Sequence, residues 1–368
     1  METPNRTTLI IDGNWLLMSR LGQVKDSFLK CLPKEDLIKA KEDLVDFVAQ
    51  SINKQINFWG SNIDNIIMVQ DGGSWRKELP KPKLYTETYK GNRVTDEELD
   101  WSYIWDGLSQ LCKSFEANNI MCVTEKTIEG DDWCWYWSRY LNRLGTNTII
   151  WTSDADLKQL VQKDPVTGAW TCWFNERSGL VVHEVFNRSD MDILLNFDAE
   201  DPFIDAICRQ ARKFEYINPD DIVMQKVVCG DSGDNIKSLL RFETKNKKGA
   251  SRTLQVSENE WNKVKAELEI TDFNTFETKK LIIIGHLLNL KRFSDYHPKV
   301  EDICEMFDFN VKLVRLAKEQ IPHDTAMLMN KHRNEYVVTD MSFLRNNYKV
   351  LSMNTSPVDD LFKDIPNI

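Results

Sequence analysis

The stretch TTLIIDGN, residues 7–14, decides the fold: a short apolar run rich in β-branched residues that ends on an acid. It reads as a buried strand. The same pattern returns in NIIMVQD (65–71), NIMCVTE (119–125) and NTIIWTSD (147–154). Helical spacing separates the runs. Leu37, Leu44, Phe47, Val48, Ile52 and Ile56 share a face over 33–57, and further helices are expected near 94–117, from Asp131, and in DADLKQLVQK (154–163). Strand–helix alternation predicts an α/β fold with a mostly parallel central sheet flanked by helices. GAWTCWFN (168–175) and GLVVHEVF (179–186) predict a hairpin at the sheet edge, and from about 187 onward the patterns turn almost wholly helical. The expected division is a core over 1–186 and a C-terminal helical extension over 187–368.

Composition narrows the classes. Of 368 residues, 42% are hydrophobic and 28% charged, which suits a globular chain. The eight Cys stand singly without Cys-x-x-Cys spacing, so a zinc ribbon and a disulfide framework are not expected. The start METPNRTTLI has no charged-then-apolar leader, and the longest apolar run, LIIIGHLLNL (281–290), is too short to cross a bilayer. The expectation is a cytoplasmic protein with free thiols and no membrane partner. The net charge of −10 argues at first against a nucleic-acid partner.

The placement of the acids reverses that argument. Asp12 closes the first strand and Asp71 the second. Glu129, Asp131 and Asp132 follow the third in IEGDD, and Asp154 and Asp156 follow the fourth in TSDAD. Asp231 and Asp234 lie in CGDSGDN (229–235). In parallel sheets, ligands sit beyond the carboxyl ends of the strands. Each acid alone could cap a helix or close a turn. The set converging on one rim predicts two divalent cations, because hard oxygen donors without His or Cys favour Mg²⁺ or Mn²⁺. Without those nine acids the chain carries a net of only −1.

Between Asp71 and Val94, Arg76, Lys77, Lys81, Lys83, Lys90 and Arg93 outnumber Glu78 and Glu87. Tyr85 and Tyr89 are four apart, so on a helix they share a face, as do Lys90 and Arg93. Rings that stack on a base beside cations that hold phosphate suit strand threading. The alternative is an exposed basic loop whose aromatics fill the core. Trp133, Trp135, Tyr136, Trp137 and Tyr140 after Asp132 predict a helix whose rings mostly pack the interior.

LIIDGN, VQDGG…YKGNR, IEGDD, TSDADLKQL and CGDSGDN, in that order, resemble the 5′-nuclease (flap endonuclease) family over about residues 7–240. They are most like its phage members of the ribonuclease H and 5′–3′ exonuclease type. The resemblance implies a PIN-like nuclease core that hydrolyses phosphodiesters at 5′ ends and flaps of DNA and RNA–DNA hybrids, removing RNA primers in a phage-infected bacterial host. It implies a monomer. It assigns Asp12, Asp71, Glu129, Asp131, Asp154 and Asp156 to the inner metal site, with Asp132 in support and Asp231 and Asp234 in a second site. Lys90 and Arg93 would contact the scissile phosphate, and Asp154 belongs to the catalytic set. An Arg follows the first strand in the family, and Arg20 is the nearest here. A structure-specific DNA-binding protein without cleavage and a PIN-type single-stranded RNA nuclease are the competing readings.

The chain leaves the family pattern after Asp234. Many members carry a Gly-rich hairpin that holds the duplex through K⁺, but NIKSLLRFETKNKKGASR (235–252) has only Gly249. The K⁺ site lacks its usual frame. Arg241, Lys245, Lys247, Lys248 and Arg252 predict a mobile basic loop suited to phosphates. The tail SPVDDLFKDIPNI (356–368) combines acids with Leu361, Phe362 and Ile365. It suits docking on a sliding clamp or a single-stranded-DNA-binding protein, or packing on its own domain.

Overall fold

The computed structural model describes residues 6–185, 214–245, 248–270 and 276–336, with 338, 339 and 341. The tail at 356–368, Lys247 and Cys208 lie outside them. The chain divides into two compact units. One comprises 1–74, 96–219 and 321–368, the other 75–95 and 220–320. The expected boundary at 186/187 falls in a stretch, 186–213, that lies outside the described residues.

In the first unit, β1 (Thr7–Asp12), β2 (Asn65–Val69), β3 (Met121–Val123) and β4 (Asn147–Trp151) form the parallel centre of the sheet. The order is β3-β2-β1-β4, continued by β6 (Trp170–Asn175), β7 (Gly179–His183) and β8 (Phe214–Ile217). All five β2 residues and all five β4 residues are buried, as expected of strands covered on both faces. The antiparallel pair β6–β7 is the expected hairpin. β8 adds parallel to β7, a strand within the region expected to be almost wholly helical.

Helices α1 (Gly13–Val24), α2 (Lys34–Trp59), α3 (Trp101–Ala117) and α4 (Gly130–Arg143) fill the connections. The helix expected from about 94 starts at Trp101, because the Asp100 side chain caps it by accepting from the Ser102 N–H. DADLKQLVQK is a 3₁₀ turn at Ala155–Leu160 followed by the short β5 (Gln162–Lys163). In α4, Trp133, Cys134 and Trp137 are fully buried, while Trp135, Tyr136 and Tyr140 are half-buried, so only part of the expected aromatic set is enclosed. The main core gathers Leu9, Ile11, Leu44, Ile52, Ile66, Phe115, Ile149 and Trp151.

The second unit has its own core, built from α5 (Pro219–Cys229), α6 (Glu258–Ile270), α7 (Phe276–Leu288) and α8 (Val300–Val314), with residues such as Val227, Trp261, Ile283 and Phe307. The basic stretch after 240 is not an irregular loop. Arg241–Lys245 (β9) and Ser251–Gln255 (β10) pair antiparallel, with Phe242 opposite Leu254. Two apolar residues in a charge-rich run hold that hairpin, which is why composition hid it. A strand alternates its faces, so Arg241 and Lys245 share one face while Arg252, opposite Thr244, lies on the other. Among the described residues, α9 (His323–Arg333) belongs to the first unit. No described helix is long and apolar enough to cross a membrane.

Candidate metal centre

Asp12 ends β1 and begins α1. Its Oδ1 accepts from the Trp15 N–H at 3.0 Å, so the side chain caps the helix. Its Oδ2 accepts from the Thr152 hydroxyl at 2.9 Å. Asp12 is 9% exposed. Burial, followed by the nearby charges of Asp71 and Asp154, pushes its pKa up to about 7 against the two hydrogen bonds.

Asp71 follows β2, and its N–H donates to Asn14 Oδ1 at 3.0 Å. Its Oδ1 accepts from the Gly130 N–H at the start of α4. That contact depends on two loops passing closely. The Gly72 N–H donates to the Ile128 carbonyl at 2.9 Å, and a Cβ on Gly72 would sit 1.9 Å from the Glu125 carbonyl oxygen. Only glycine fits there. The same approach brings Glu129 in, 4% exposed, its Oε2 accepting from the Ser74 hydroxyl at 2.8 Å. Asp131 and Asp132 occupy the first turn of α4, where acids oppose the positive helix end, and Asp132 is fully buried.

Asp154 caps the 3₁₀ turn after β4, its Oδ1 accepting from the Asp156 N–H at 2.8 Å. Its own N–H donates to Thr152 Oγ1 at 3.0 Å, and its carbonyl accepts from Trp173 Nε1 at 2.9 Å. The convergence is visible at Cys134, a fully buried thiol on α4. Burial, and then the charges of Asp12, Asp131, Asp71 and Asp154, push that thiol well above the ordinary range. Three acids at or just after the ends of β1, β2 and β4 and one from the first turn of α4 therefore act on one thiol. A thiol held protonated is a poor ligand, which leaves hard oxygens as the donors a cation would meet. The donor set fits a divalent cation.

Thr152 was not anticipated. It is fully buried, and its one hydroxyl donates to Asp12 and accepts from the Asp154 backbone. It ties two acids from different strands into one arrangement. Its position two residues before Asp154 was the available signal. Arg20 is engaged on α2 instead, with Nε donating to Ser51 Oγ at 2.7 Å and the guanidinium 5.3 Å from the Phe47 ring centre.

In the second unit, the segment 85–93 lies along the loop that follows α5. The Lys90 N–H donates to the Asp234 carbonyl at 2.9 Å, and the Asn92 side chain donates to the Ser232 carbonyl at 2.7 Å. Asp234 is paired with Arg93 at 2.6 Å and with Lys90 at 3.9 Å. Asp231 is paired with Lys226 and accepts from the Gly233 N–H at 2.8 Å. Burial works to raise the Asp231 pKa, but the Lys226 contact together with the Gly233 and Asp234 N–H groups outweighs it, and the net shift is downward.

Three gateway residues differ from expectation. Tyr85 and Tyr89 are not on a helix and are 3% and 5% exposed, buried in the second unit's core. The Tyr85 hydroxyl donates to the Asn235 carbonyl at 2.7 Å, and burial pushes its pKa to about 12. Arg76 is 3% exposed, its guanidinium 4.4 Å from the Trp75 ring centre. Rings and a cation enclosed in this way present nothing to a strand. Lys77, Lys81 and Lys83 are exposed, as are Arg241, Lys245, Lys248 and Arg252.

No protein-family profile matches the chain, and no curated protein sequence does. Solved structures do match it. The T5 D15 protein co-crystallised with metal ions is similar at a TM-score of 0.54 and 16% identity, over 90% of this chain and 99% of the other. The bacteriophage T5 D15 flap endonuclease, in a pseudo-enzyme–product complex with DNA and metal ions, gives 0.52 and 17% over the same shares. Zinc-bound T5 5′-exonuclease gives 0.50 and 18%, again over 90% and 99%. The chain has the fold of these 5′-nucleases, a mostly parallel sheet flanked by helices.

Proposed function

We propose that the chain is a divalent-metal-dependent 5′-nuclease that hydrolyses phosphodiesters at 5′ ends and flaps of DNA and in RNA–DNA hybrids. Removal of RNA primers in phage replication is the role this activity would serve. The observation that carries the reading is the convergence of Asp12, Asp71, Asp131 and Asp154 around Cys134, with the Asp12 pKa raised to about 7. A buried carboxylate held near other acids is costly, and a divalent cation relieves that cost where a phosphate must approach. The fold shared with metal-bound and DNA-bound phage proteins agrees with it.

Asp12, Asp71, Glu129, Asp131, Asp132, Asp154 and Asp156 would hold the first ion, and Asp231 and Asp234 would contribute to a second. Bound there, such ions supply an activated water and stabilise the leaving 3′-oxygen. The chain's own residues have distinct tasks. Asp12, fixed by Trp15 and Thr152, holds its carboxylate in one orientation. Lys90 and Arg93 exchange their pairing with Asp234 for the scissile phosphate and offset charge developing on it. Lys77, Lys81 and Lys83 hold the backbone of the 5′ strand without reading sequence.

The test uses a 5′-labelled flap duplex, an RNA–DNA hybrid and single-stranded RNA with Mg²⁺, comparing the wild type with Asp154→Asn. Cleavage of flap and hybrid, reduced by a factor on the order of 10²–10³ in the variant, is expected. Cleavage of the RNA alone, or equal cleavage by the variant, refutes the reading.

A further inference from the structure

The second unit holds a cleft of about 360 Å³ between β9 and the segment Tyr296–Lys299 that leads into α8. Its floor is apolar, with Leu240 and Ile303. One wall is the pair Phe242 and Tyr296, whose rings stack with centroids 4.3 Å apart and planes at 21°. Two exposed cations, Arg241 and Lys299, stand among the lining residues. Arg241 is held only loosely by Glu243, at 3.5 Å, and Lys299 makes no ion pair with the described residues. Lys237, a third lining cation, is committed to Glu87. The remaining acid, Asp302, lies in the first turn of α8.

An inorganic anion would use the two cations and waste the aromatic wall. A purely apolar ligand would leave Arg241 and Lys299 idle. A flat ring carrying an anion uses all three elements. We propose that this cleft is a nucleotide subsite, taking one base against Tyr296 and its phosphate on Arg241 and Lys299. A free mononucleotide and one nucleotide of a single strand offer the same chemistry. The inference rests on the proposed nuclease reading only in expecting a strand as the source. Its features lie within the second unit and include none of the carboxylates proposed to hold metal.

Calorimetric titration of the full chain without divalent metal tests it, using dAMP, a single-stranded tetranucleotide and inorganic phosphate. Both nucleotides should bind, and phosphate at least about tenfold more weakly. Tyr296→Leu should weaken both nucleotides by about tenfold, the range of base–aromatic stacking, and leave phosphate unchanged. Tyr296→Phe should retain affinity, and Arg241→Gln should weaken all three ligands. Tighter binding of the tetranucleotide than of dAMP identifies the strand as the source, and equal binding the free nucleotide. Unchanged dAMP affinity in a folded Tyr296→Leu protein overturns the proposal, as does phosphate binding as well as dAMP. If Tyr296→Leu does not fold, Lys299→Gln carries the test, and unchanged affinity there overturns the subsite equally. Flap cleavage is read separately. A wild type that binds dAMP through Tyr296 yet never cleaves removes the nuclease and keeps the cleft, and the converse keeps the nuclease alone.

Discussion

The two units treat their acids in opposite ways. In the first, Asp12 is buried near Asp71 and Asp154, and its pKa rises to about 7. In the second, Asp231 has Lys226 and Asp234 has Arg93 and Lys90, and the Asp231 pKa falls. The first arrangement carries an electrostatic cost that an external cation would relieve. The second carries its own cations, so a metal there must first release side chains already seated. The difference teaches that identical residue types at motif positions can raise one another's pKa in one place and form ion pairs that lower it in another.

The largest test of this contrast is pH. Asp12 binds its proton more tightly folded than unfolded, so its contribution to stability is complete below the ordinary pKa of 3.8 and lost as pH rises through about 7. That contribution is at most about 4 kcal/mol. Asp12→Asn keeps a helix cap and should flatten the decline, so that the metal-free variant melts above the wild type at pH 8 but not at pH 4. Mg²⁺ should restore the wild type at pH 8. A wild type whose melting temperature does not fall between pH 4 and 8 breaks the comparison. Asp231 has the reverse sign: its stabilisation is present above the ordinary carboxylate pKa and is lost as pH falls.

Thr152→Val comes next. It preserves shape and removes the hydroxyl between Asp12 and the Asp154 backbone. Mn²⁺ affinity, read by electron paramagnetic resonance without substrate, should fall about 10- to 100-fold. Thr152→Ser should recover most of it. Equal affinity in the valine variant would assign Thr152 to packing alone.

Lys226→Met should cost about 1 kcal/mol in denaturant unfolding, since the pair with Asp231 is half-buried. Arg93→Gln should change stability by less than about 0.5 kcal/mol, because Arg93 is 57% exposed. Its flap cleavage should nonetheless drop about tenfold or more. A stability loss as large as that of Lys226→Met would mean that Arg93 serves the fold instead of the phosphate.

The four strands and the acids at their ends were readable because both signals are local. A run such as LIID or NIIMV needs only its neighbours in sequence to declare a buried strand, and an acid just beyond it is at the rim by geometry. The α4 aromatics were readable for the same reason. The β9–β10 hairpin was not, since Phe242 and Leu254 acquire meaning only once they face each other. The same holds for Tyr85, Tyr89 and Arg76. Their spacing suits a threading surface, and only the presence of Phe309, Asn235 and Trp75 beside them encloses them.

The sequence by itself determined the parallel sheet, the strand-end carboxylates and the charge that they concentrate, because hydrophobic period and residue chemistry are properties of short segments. The tertiary structure alone decided which acids are left to repel and which are neutralised. That outcome depends on residues far apart in the chain, such as Asp12 with Asp71 and Asp154, or Asp234 with Arg93. Charge is written in the residues, but its cost is set by what folding brings alongside.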